Sequence, residues 1–263
     1  MPIIFDGRAF AAEKILKLDN KVAGLKNRGI YPKLASILVG DDPAGRLYVS
    51  LKKKKAQSIG VEMDVYYLKE NELLETILAL IDSLNSDPSV YGIMVQLPLP
   101  SNFSKEDKQR IINSIKREKD VDGLREDSPY VHPTVMAVLQ VIEIAKSSLT
   151  VHGSPFTVCV VGATGMVGSA LLREIKNTDD KLVEKSEDAD ILVSATGSPN
   201  IIKANMVKKG AIVIDVGSPK GDVDPSVALR ASFLTPVPGG IGPITISCLL
   251  ENLVKASRSE IFP

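Results

Sequence analysis

Short apolar runs alternate with amphipathic helical patterns along almost the whole chain, and this alternation limits the folds open to it. In the first half the apolar runs cover 34–39, 61–68 and 90–97, with helical patterns at 7–28, 44–58, 70–85, 105–116 and 133–147. Such alternation is typical of parallel strands that are joined by helices. We therefore expect an α/β protein.

A second unit of the same kind begins near Thr150. Its apolar runs cover 156–161, 191–195 and 211–216, with a helix at 166–176, a short helix at 224–231, a short strand at 233–234 and a last helix at 244–256. A chain of 263 residues is long enough for two ordinary domains.

Charge and hydropathy exclude several classes of partner. Lys+Arg and Asp+Glu each number 32, so the net charge is zero and favours neither a nucleic acid nor an anionic membrane. No window approaches the roughly 18 apolar residues of a membrane-spanning helix. The N-terminus lacks the pattern of a secretory signal, so we expect a cytoplasmic protein.

Cysteines and histidines are too few to indicate a disulfide framework or a metal site. Cys159 and Cys248 each lie in an apolar run, where a free thiol packs as a small hydrophobic side chain. His132 and His152 have no neighbours at metal-ligand spacing. We expect no metal and no Ser-His-Asp triad.

A glycine-rich turn at 162–168, GATGMVG, follows the apolar run VCVV and precedes a helix. Glycines in this context let the backbone approach a pyrophosphate, which the helix N-terminus then binds. The alternative is an ordinary tight turn between a strand and a helix. The segment between Glu174 and Ile191 shows no convincing strand that ends in an acidic residue or an arginine. The sequence therefore leaves the choice of nucleotide open.

Tyr48 and Lys52 share one face of a predicted helix, because they are four residues apart. A lysine beside an aromatic ring and apolar neighbours can have a lowered pKa and transfer protons near neutral pH. The alternative is that the run of four lysines at 52–55 is a solvated helix face.

Two polar residues interrupt otherwise structural motifs. Gln96 ends an apolar strand within VQLPLP (95–100), where its amide can bind a lysine, a substrate or backbone groups. Asp122 precedes a glycine in KDVDGL (119–124), which either presents the carboxylate to a ligand or forms an ordinary turn.

Taken together, these motifs are much more specific. In this order, and with DVG (215–217), GDVD (221–224) and TPVPGGIGPIT (235–245), the chain resembles the bifunctional methylenetetrahydrofolate dehydrogenase/cyclohydrolase family. The resemblance implies an N-terminal α/β folate domain over 1–135 and a truncated Rossmann domain over 136–242, with a cleft between them. It also implies that the last segment, 243–263, packs back on the first domain.

The resemblance also implies the reactions and the residues that serve them. The family interconverts 5,10-methylene-, 5,10-methenyl- and 10-formyltetrahydrofolate with NADP or NAD, and the resemblance suggests a homodimer. Lys52 would be the catalytic lysine, oriented by Gln96; Tyr48 would stack on the folate and Asp122 would hold its pterin. Further substrate contacts would come from Leu97, Pro98, Pro238, Gly239 and Gly240. Contacts to the nucleotide would come from Gly162, Ala163, Thr164, Gly165, Met166, Val167, Ala195, Thr196, Gly197, Gly217 and Thr245.

Departures from the family pattern are concentrated in the part that binds the nucleotide. Ala163 replaces an arginine that helps to hold a 2′-phosphate, Thr164 replaces a serine, and Ala170 replaces a proline. The strand expected between Asn177 and Asp190 looks deleted, and His132-Pro133-Thr134-Val135 replaces Pro-Cys-Thr-Pro. We therefore expect retained hydrolysis, with oxidation weak, NAD-dependent or lost.

Two alternatives stay open. One is a short-chain reductase, a class that also combines a glycine turn with Tyr-x-x-x-Lys, although there the turn comes first in the chain. The other is a family member that binds folate without turnover.

Overall fold

A computed structural model describes residues 1–149 and 155–258. Contacts divide the chain into two compact units: the described parts of 1–12 and 134–248, and the described parts of 13–133 and 249–263. Two of the three divisions fall inside the first helix, α1 (Gly7–Lys26), and the last helix, α7 (Ile241–Ala256), and the third lies between 133 and 134. The predicted start of the second unit at Thr150 and the residue His152 lie outside the described residues.

The unit that contains 13–133 is built on a three-stranded parallel sheet in the order β3-β2-β4. The strands are β2 (Lys33–Val39), β3 (Glu62–Leu68) and β4 (Gly92–Val95). Its helices are α2 (Pro43–Gln57), α3 (Leu74–Ser86) and α4 (Lys105–Ser114), followed by a 3-10 helix at Arg117–Lys119.

The central strand β2 is buried along nearly its whole length, which explains why its sequence is continuously apolar rather than alternating. Ile37 of β2 packs with Ile77 of α3 and Ile93 of β4 in one core, and all three are fully buried. Helix α2 begins directly after β2, because the Asp42 carboxylate accepts a hydrogen bond from Gly45 N at 2.7 Å. Helix α2 therefore begins at the carboxyl end of the sheet.

The other unit contains a six-stranded parallel sheet in the order β1-β9-β8-β7-β5-β6. The strands are β1 (Ile3–Ile4), β5 (Thr157–Val161), β6 (Lys181–Leu182), β7 (Ile191–Ser194), β8 (Ile212–Asp215) and β9 (Phe233–Leu234). Helices α5 (Pro133–Ser148) and α6 (Met166–Ile175) are accompanied by 3-10 helices at Ser186–Asp188, Ala204–Met206 and Pro225–Leu229. The α/β class is confirmed.

The predicted deletion of the strand between Asn177 and Asp190 is wrong. Strand β6 lies there, beside β5, with Lys181 N donating to Phe156 O at 2.8 Å and Val183 N to Val158 O at 2.9 Å. This edge strand is held by backbone hydrogen bonds and leaves Lys181 exposed, so it needs no apolar pattern that a sequence could reveal. The connection from β6 to β7 is short and contains one 3-10 helix, Ser186–Asp188.

The structure differs from the sequence-based expectation at two smaller elements. The two-residue strand β1 was not predicted, because both of its isoleucines are exposed. The helix predicted over 224–231 is a 3-10 turn at Pro225–Leu229, which the Asp224 carboxylate begins by accepting from Ser226 N. Within the described residues, no helix is both long and apolar enough to cross a membrane.

Candidate active site

Lys52 occupies an unusual place for a lysine, because its side chain is buried and its ammonium donates to a neutral amide. Its relative exposure is 9%. Nζ donates to Gln96 Oε1 at 3.0 Å and lies 3.8 Å from Met94 Sδ. Loss of hydration lowers the pKa of Lys52, and the negative charge of Asp122 opposes this effect only in part.

Gln96 is aimed at Lys52 by the end of strand β4. Its backbone N donates to Ile37 O at 2.8 Å, which continues the pairing with β2 by one residue. Its Nε2 donates to Leu97 O at 2.8 Å, so the amide is oriented with Oε1 towards the ammonium. Leu97 is half-buried and Pro98, which follows it, is exposed.

The four lysines at 52–55 of helix α2 differ in burial. Lys52 is buried, Lys53 is half-buried, and Lys54 and Lys55 are exposed. Tyr48 lies one turn before Lys52 and is half-buried. The solvated-face interpretation therefore fits Lys54 and Lys55 but not Lys52.

In the KDVDGL loop, a buried carboxylate and a glycine shape the backbone. Asp120 is fully buried and accepts from Leu124 N at 3.3 Å and Arg125 N at 2.9 Å. Burial raises the pKa of Asp120 to about 6. Gly123 has a φ of 62°, and a Cβ there would lie 2.6 Å from Tyr130 O, so no other residue fits. Asp120 thus organises the loop, and Asp122 is the half-buried carboxylate left to act.

Asn252 of α7 brings His132 beside Asp122. Its Nδ2 donates to Val121 O and to Val131 O, both at 3.0 Å, and the residue is 1% exposed. Loss of hydration lowers the pKa of His132; Asp122 opposes this shift and Lys52 adds to it. We call Lys52, Gln96, Asp122 and His132 the lysine cluster.

The sequence predicts no role for His132, because no metal-ligand spacing or catalytic triad includes it. A signal was present in the sequence, because a histidine stands there in place of the family's proline. Its nearness to Asp122 depends on a hydrogen-bonding residue, Asn252, more than a hundred positions away in the chain. No local pattern records such a contact.

In the other unit, the glycine turn between β5 and α6 depends on close approach of backbone to backbone. Gly162 has a φ of 88°, and a Cβ there would overlap Ala195 O. A Cβ at Gly168 would overlap Gly162 O, so both positions require glycine for close approach of backbone to backbone. Gly165 caps α6 without a side-chain hydrogen bond, which leaves the first helical amides available to an anion.

The remaining turn residues line this backbone. Ala163 and Val167 are half-buried, and Thr164 and Met166 are exposed. Neither Ala163 nor Thr164 carries a charge. The turn therefore fits the diphosphate of a dinucleotide through its amides alone.

A buried carboxylate also holds the loop after β7. Asp222 Oδ2 accepts from Ser194 Oγ at 2.9 Å, Thr196 N at 2.7 Å and Gly197 N at 3.3 Å. Asp222 is fully buried. Its hydrogen bonds hold the backbone of the Ala195–Gly197 segment, which contains three of the predicted nucleotide-binding residues.

Asp215 has the matching role at the end of β8. Its Oδ1 accepts from Gly217 N at 2.8 Å and from Asp222 N at 3.1 Å. Burial raises the pKa of Asp215, and the neighbouring Asp222 charge adds to this effect. The motifs DVG and GDVD are recognisable in the sequence, but the binding of the second motif's backbone by Asp215 of the first is visible only in the structure.

The last predicted site residues surround the start of α7. Gly239 has a φ of 107°, and Gly240 N donates to Pro236 O at 2.8 Å. Pro238 is exposed, and the Thr245 hydroxyl donates to Ile241 O at 3.3 Å. All four belong to the unit of the glycine turn, whereas Tyr48, Leu97, Pro98 and the lysine cluster belong to the other unit.

Metal ligation has no candidate within 1–149 and 155–258, where no three His, Cys, Asp or Glu side chains are grouped suitably. Cys159 and Cys248 are both buried free thiols.

Comparison with known proteins covers both units. Residues 5–122 match the catalytic domain of the tetrahydrofolate dehydrogenase/cyclohydrolase family, and residues 133–261 match its NAD(P)-binding domain. The bifunctional protein FolD of Lactobacillus delbrueckii subsp. bulgaricus is 39% identical over 98% of each chain.

Solved structures agree with this. The bifunctional FolD methylenetetrahydrofolate dehydrogenase/cyclohydrolase from Campylobacter jejuni has a TM-score of 0.90 at 35% identity, covering 98% of this chain and 99% of that one. FolD from Trypanosoma brucei, solved with NADP and an inhibitor, has a TM-score of 0.88 at 30% identity, covering 100% and 99%. These matches are incompatible with the short-chain reductase alternative, and the chain belongs to the tetrahydrofolate dehydrogenase/cyclohydrolase family.

Proposed function

We propose that the chain oxidises 5,10-methylenetetrahydrofolate with NAD or NADP and hydrolyses the resulting 5,10-methenyl cation to 10-formyltetrahydrofolate. One observation carries the hydrolytic half: a buried lysine, Lys52, whose ammonium is bound by the amide oxygen of Gln96. Burial lowers the pKa of Lys52, which favours the neutral amine that a proton-transfer step requires.

Hydrolysis of the methenyl cation needs a proton to move from one atom to another. Water attacks the positively charged methenyl carbon and gives up a proton, which the neutral amine of Lys52 accepts. The adduct then loses its hydroxyl proton to solvent as the bond from carbon to N5 breaks. Lys52 returns its proton to N5, so one proton is released overall and Lys52 is restored.

The neighbours of Lys52 position it and the substrate. Gln96 fixes the direction of the Lys52 side chain, and Tyr48, one turn earlier on α2, offers a ring on which the folate stacks. Asp122 accepts hydrogen bonds from the polar edge of the pterin, while its charge limits the fall in the Lys52 pKa. Leu97 and Pro98 complete the substrate side.

For oxidation, the nucleotide is held by backbone. The amides at 162–167 hold the diphosphate, and the segments Ala195–Gly197 and Gly217 follow the neighbouring strands β7 and β8, where a dinucleotide fold binds its ligand. A bound nicotinamide supplies the hydride acceptor. Thr245 and the turn at Pro238, Gly239 and Gly240 border this part of the site.

The decisive experiment follows methenyltetrahydrofolate hydrolysis by absorbance in Lys52→Ala. We expect hydrolysis to fall about a thousandfold, the usual contribution of a positioned proton-transfer group. Lys54→Ala is the matched control, since Lys54 is an exposed lysine on the same helix and should leave the rate unchanged. A Lys52→Ala variant at full rate would falsify the assignment.

Oxidation is measured separately, with methylenetetrahydrofolate and each nucleotide. Because Ala163 removes a charge from the turn and the β6–β7 link is short, we propose that oxidation is slower than hydrolysis. Oxidation with NADP as fast as hydrolysis would overturn this part. Folate binding without either reaction would instead support the alternative of a protein without turnover.

We also infer a cytoplasmic homodimer. The family resemblance supports both statements, and the neutral net charge is consistent with the first. Sedimentation equilibrium of the purified chain distinguishes a dimer from its 28.3 kDa monomer, and a monomer at all concentrations would refute the dimer.

A further inference from the structure

Strand β6 places a carboxylate at the edge of the sheet where a dinucleotide fold reads its nucleotide. β6 is parallel to β5, the strand that leads into the glycine turn, with Thr157 opposite Lys181 and Val158 opposite Leu182. Because Leu182 is opposite Val158, near the start of β5, the chain beyond β6 continues alongside β5 towards the glycine turn. In dinucleotide-binding folds this neighbouring strand ends beside the adenosine ribose, where an acidic residue about 20 positions after the glycines binds the ribose hydroxyls.

Glu184 meets this description. It comes two residues after the end of β6 and 22 positions after Gly162, counting 184 − 162. Its backbone is held against β5, because Val183 N donates to Val158 O at 2.9 Å and Cys159 Sγ donates to Glu184 O at 3.5 Å. The Glu184 side chain is exposed.

The surrounding charges point the same way. Across the described ranges, the Glu184 carboxylate has no ion-pair partner, so its charge is not neutralised within the protein. Ala163 and Thr164, which follow the first glycine of the turn, add no positive charge. Lys185 is exposed and follows Glu184 directly. It is therefore the neighbouring basic residue whose effect on nucleotide choice has to be compared with that of Glu184.

We infer that Glu184 binds the adenosine ribose and makes this chain prefer NAD to NADP. The 2′-hydroxyl of NAD donates a hydrogen bond to the carboxylate, whereas the 2′-phosphate of NADP brings about two negative charges towards it. This inference rests on the proposed dehydrogenase activity and specifies its oxidant.

The test measures binding of NAD⁺ and of NADP⁺ to the full chain by isothermal titration calorimetry, together with oxidation by each nucleotide. We expect the wild type to bind NAD⁺ about ten to a hundred times more tightly than NADP⁺, as repulsion between partly solvated charges predicts. Glu184→Gln should weaken NAD⁺ and strengthen NADP⁺, reducing the ratio of affinities by about thirtyfold. Lys185→Gln, the matched neighbour of opposite charge, should keep or increase the preference for NAD⁺.

Methenyltetrahydrofolate hydrolysis needs no nucleotide, so it reports independently on folding and on the rest of the proposed function. A wild type that prefers NADP⁺, or a Glu184→Gln variant with an unchanged ratio, overturns the inference while hydrolysis and oxidation stand. If hydrolysis proceeds and neither nucleotide binds, the inference and the proposed oxidation both fail. Loss of the preference in Lys185→Gln instead of Glu184→Gln would assign nucleotide choice to the lysine and would also overturn it.

Discussion

The lysine cluster and the glycine turn differ in the atoms that they present. The lysine cluster presents side chains, and Lys52 has a lowered pKa because its ammonium is buried beside the neutral amide of Gln96. The turn presents backbone, and Gly162 allows this backbone to pass close to Ala195 O. A side-chain site depends on particular residues, whereas a backbone site depends on conformation. This is why Ala163 and Thr164 can depart from the family pattern without removing the turn.

The two regions nevertheless share one construction. A buried aspartate that binds backbone amides holds a loop in each: Asp120 in the KDVDGL loop and Asp222 after β7. Each unit therefore has a loop whose backbone is held by a buried carboxylate.

The largest expected effect comes from changing the backbone site. Gly162→Ala places a methyl group against Ala195 O at a positive φ. Strain of about 1–2 kcal/mol and overpacking of about 1–3 kcal/mol should lower the free energy of unfolding by about 3–4 kcal/mol and abolish nucleotide binding. Gly210→Ala is the control, since its φ is 82° but no atom lies within 4 Å, so only the strain remains. Urea unfolding and calorimetric titration of nucleotide measure both effects; equal losses in the two variants would contradict the close-approach argument.

A structural role for Asp120 predicts that the free energy of unfolding depends on pH. Its pKa rises from 3.8 to about 6 in the folded chain, so the folded state binds the proton more tightly than the unfolded state. The resulting stabilisation is complete below about pH 3.8 and is lost as the pH rises through about 6. Relative to Asp120→Asn, the wild type should lose about 3 kcal/mol of unfolding free energy across this window.

Urea unfolding of wild type and Asp120→Asn at a series of pH values measures this difference, and the other titrating groups cancel between the two proteins. Parallel stability curves would show that the backbone amides of Leu124 and Arg125 outweigh burial at Asp120. That result would leave the role of Asp120 in shaping the loop untouched.

Gln96→Ala tests whether the lysine cluster needs its orienting amide. We expect hydrolysis to fall about thirtyfold, because Lys52 loses the acceptor that fixes its position. In the wild type the rate should rise with pH as Lys52 loses its proton, and level off below the 10.5 of an ordinary lysine. Removing a hydrogen bond to the charged form should shift this rise to lower pH.

The control for this variant is Gln57→Ala, an exposed glutamine on the same helix as Lys52. A pH profile of hydrolysis distinguishes an orienting role from a general loss of structure, which would lower the rate at every pH without shifting the rise. An unchanged profile and rate would show that Lys52 acts without Gln96.

The smallest effect is expected at His132. Its lowered pKa keeps it neutral at neutral pH, so His132→Gln should change the hydrolysis rate by less than about threefold at about pH 8. In acid the wild-type imidazole gains a charge beside Lys52 and discourages protonation of the lysine, so the variant should lose more activity there. A large loss at high pH would instead make His132 a direct participant in proton transfer.

Sequence by itself determined the α/β class and the turn at 162–168, and it singled out Lys52, Gln96 and Asp122 as candidate site residues. These features depend on local properties: the periodicity of apolar side chains, the need for glycine at a tight turn, and motifs of specific side chains. The burial of Lys52, in contrast, could not be distinguished from a solvated run of four lysines.

Only the tertiary structure decided which lysine is buried, that Asn252 joins 121 to 131, and that β6 exists at all. Each of these depends on atoms distant in the chain, or on backbone hydrogen bonds that place no demand on the side chains. A two-residue edge strand with exposed side chains leaves no periodic pattern to read. Its pairing with β5 nonetheless supports the proposed role of Glu184, because the strand beside the one that leads into the glycine turn is where dinucleotide folds distinguish their nucleotides.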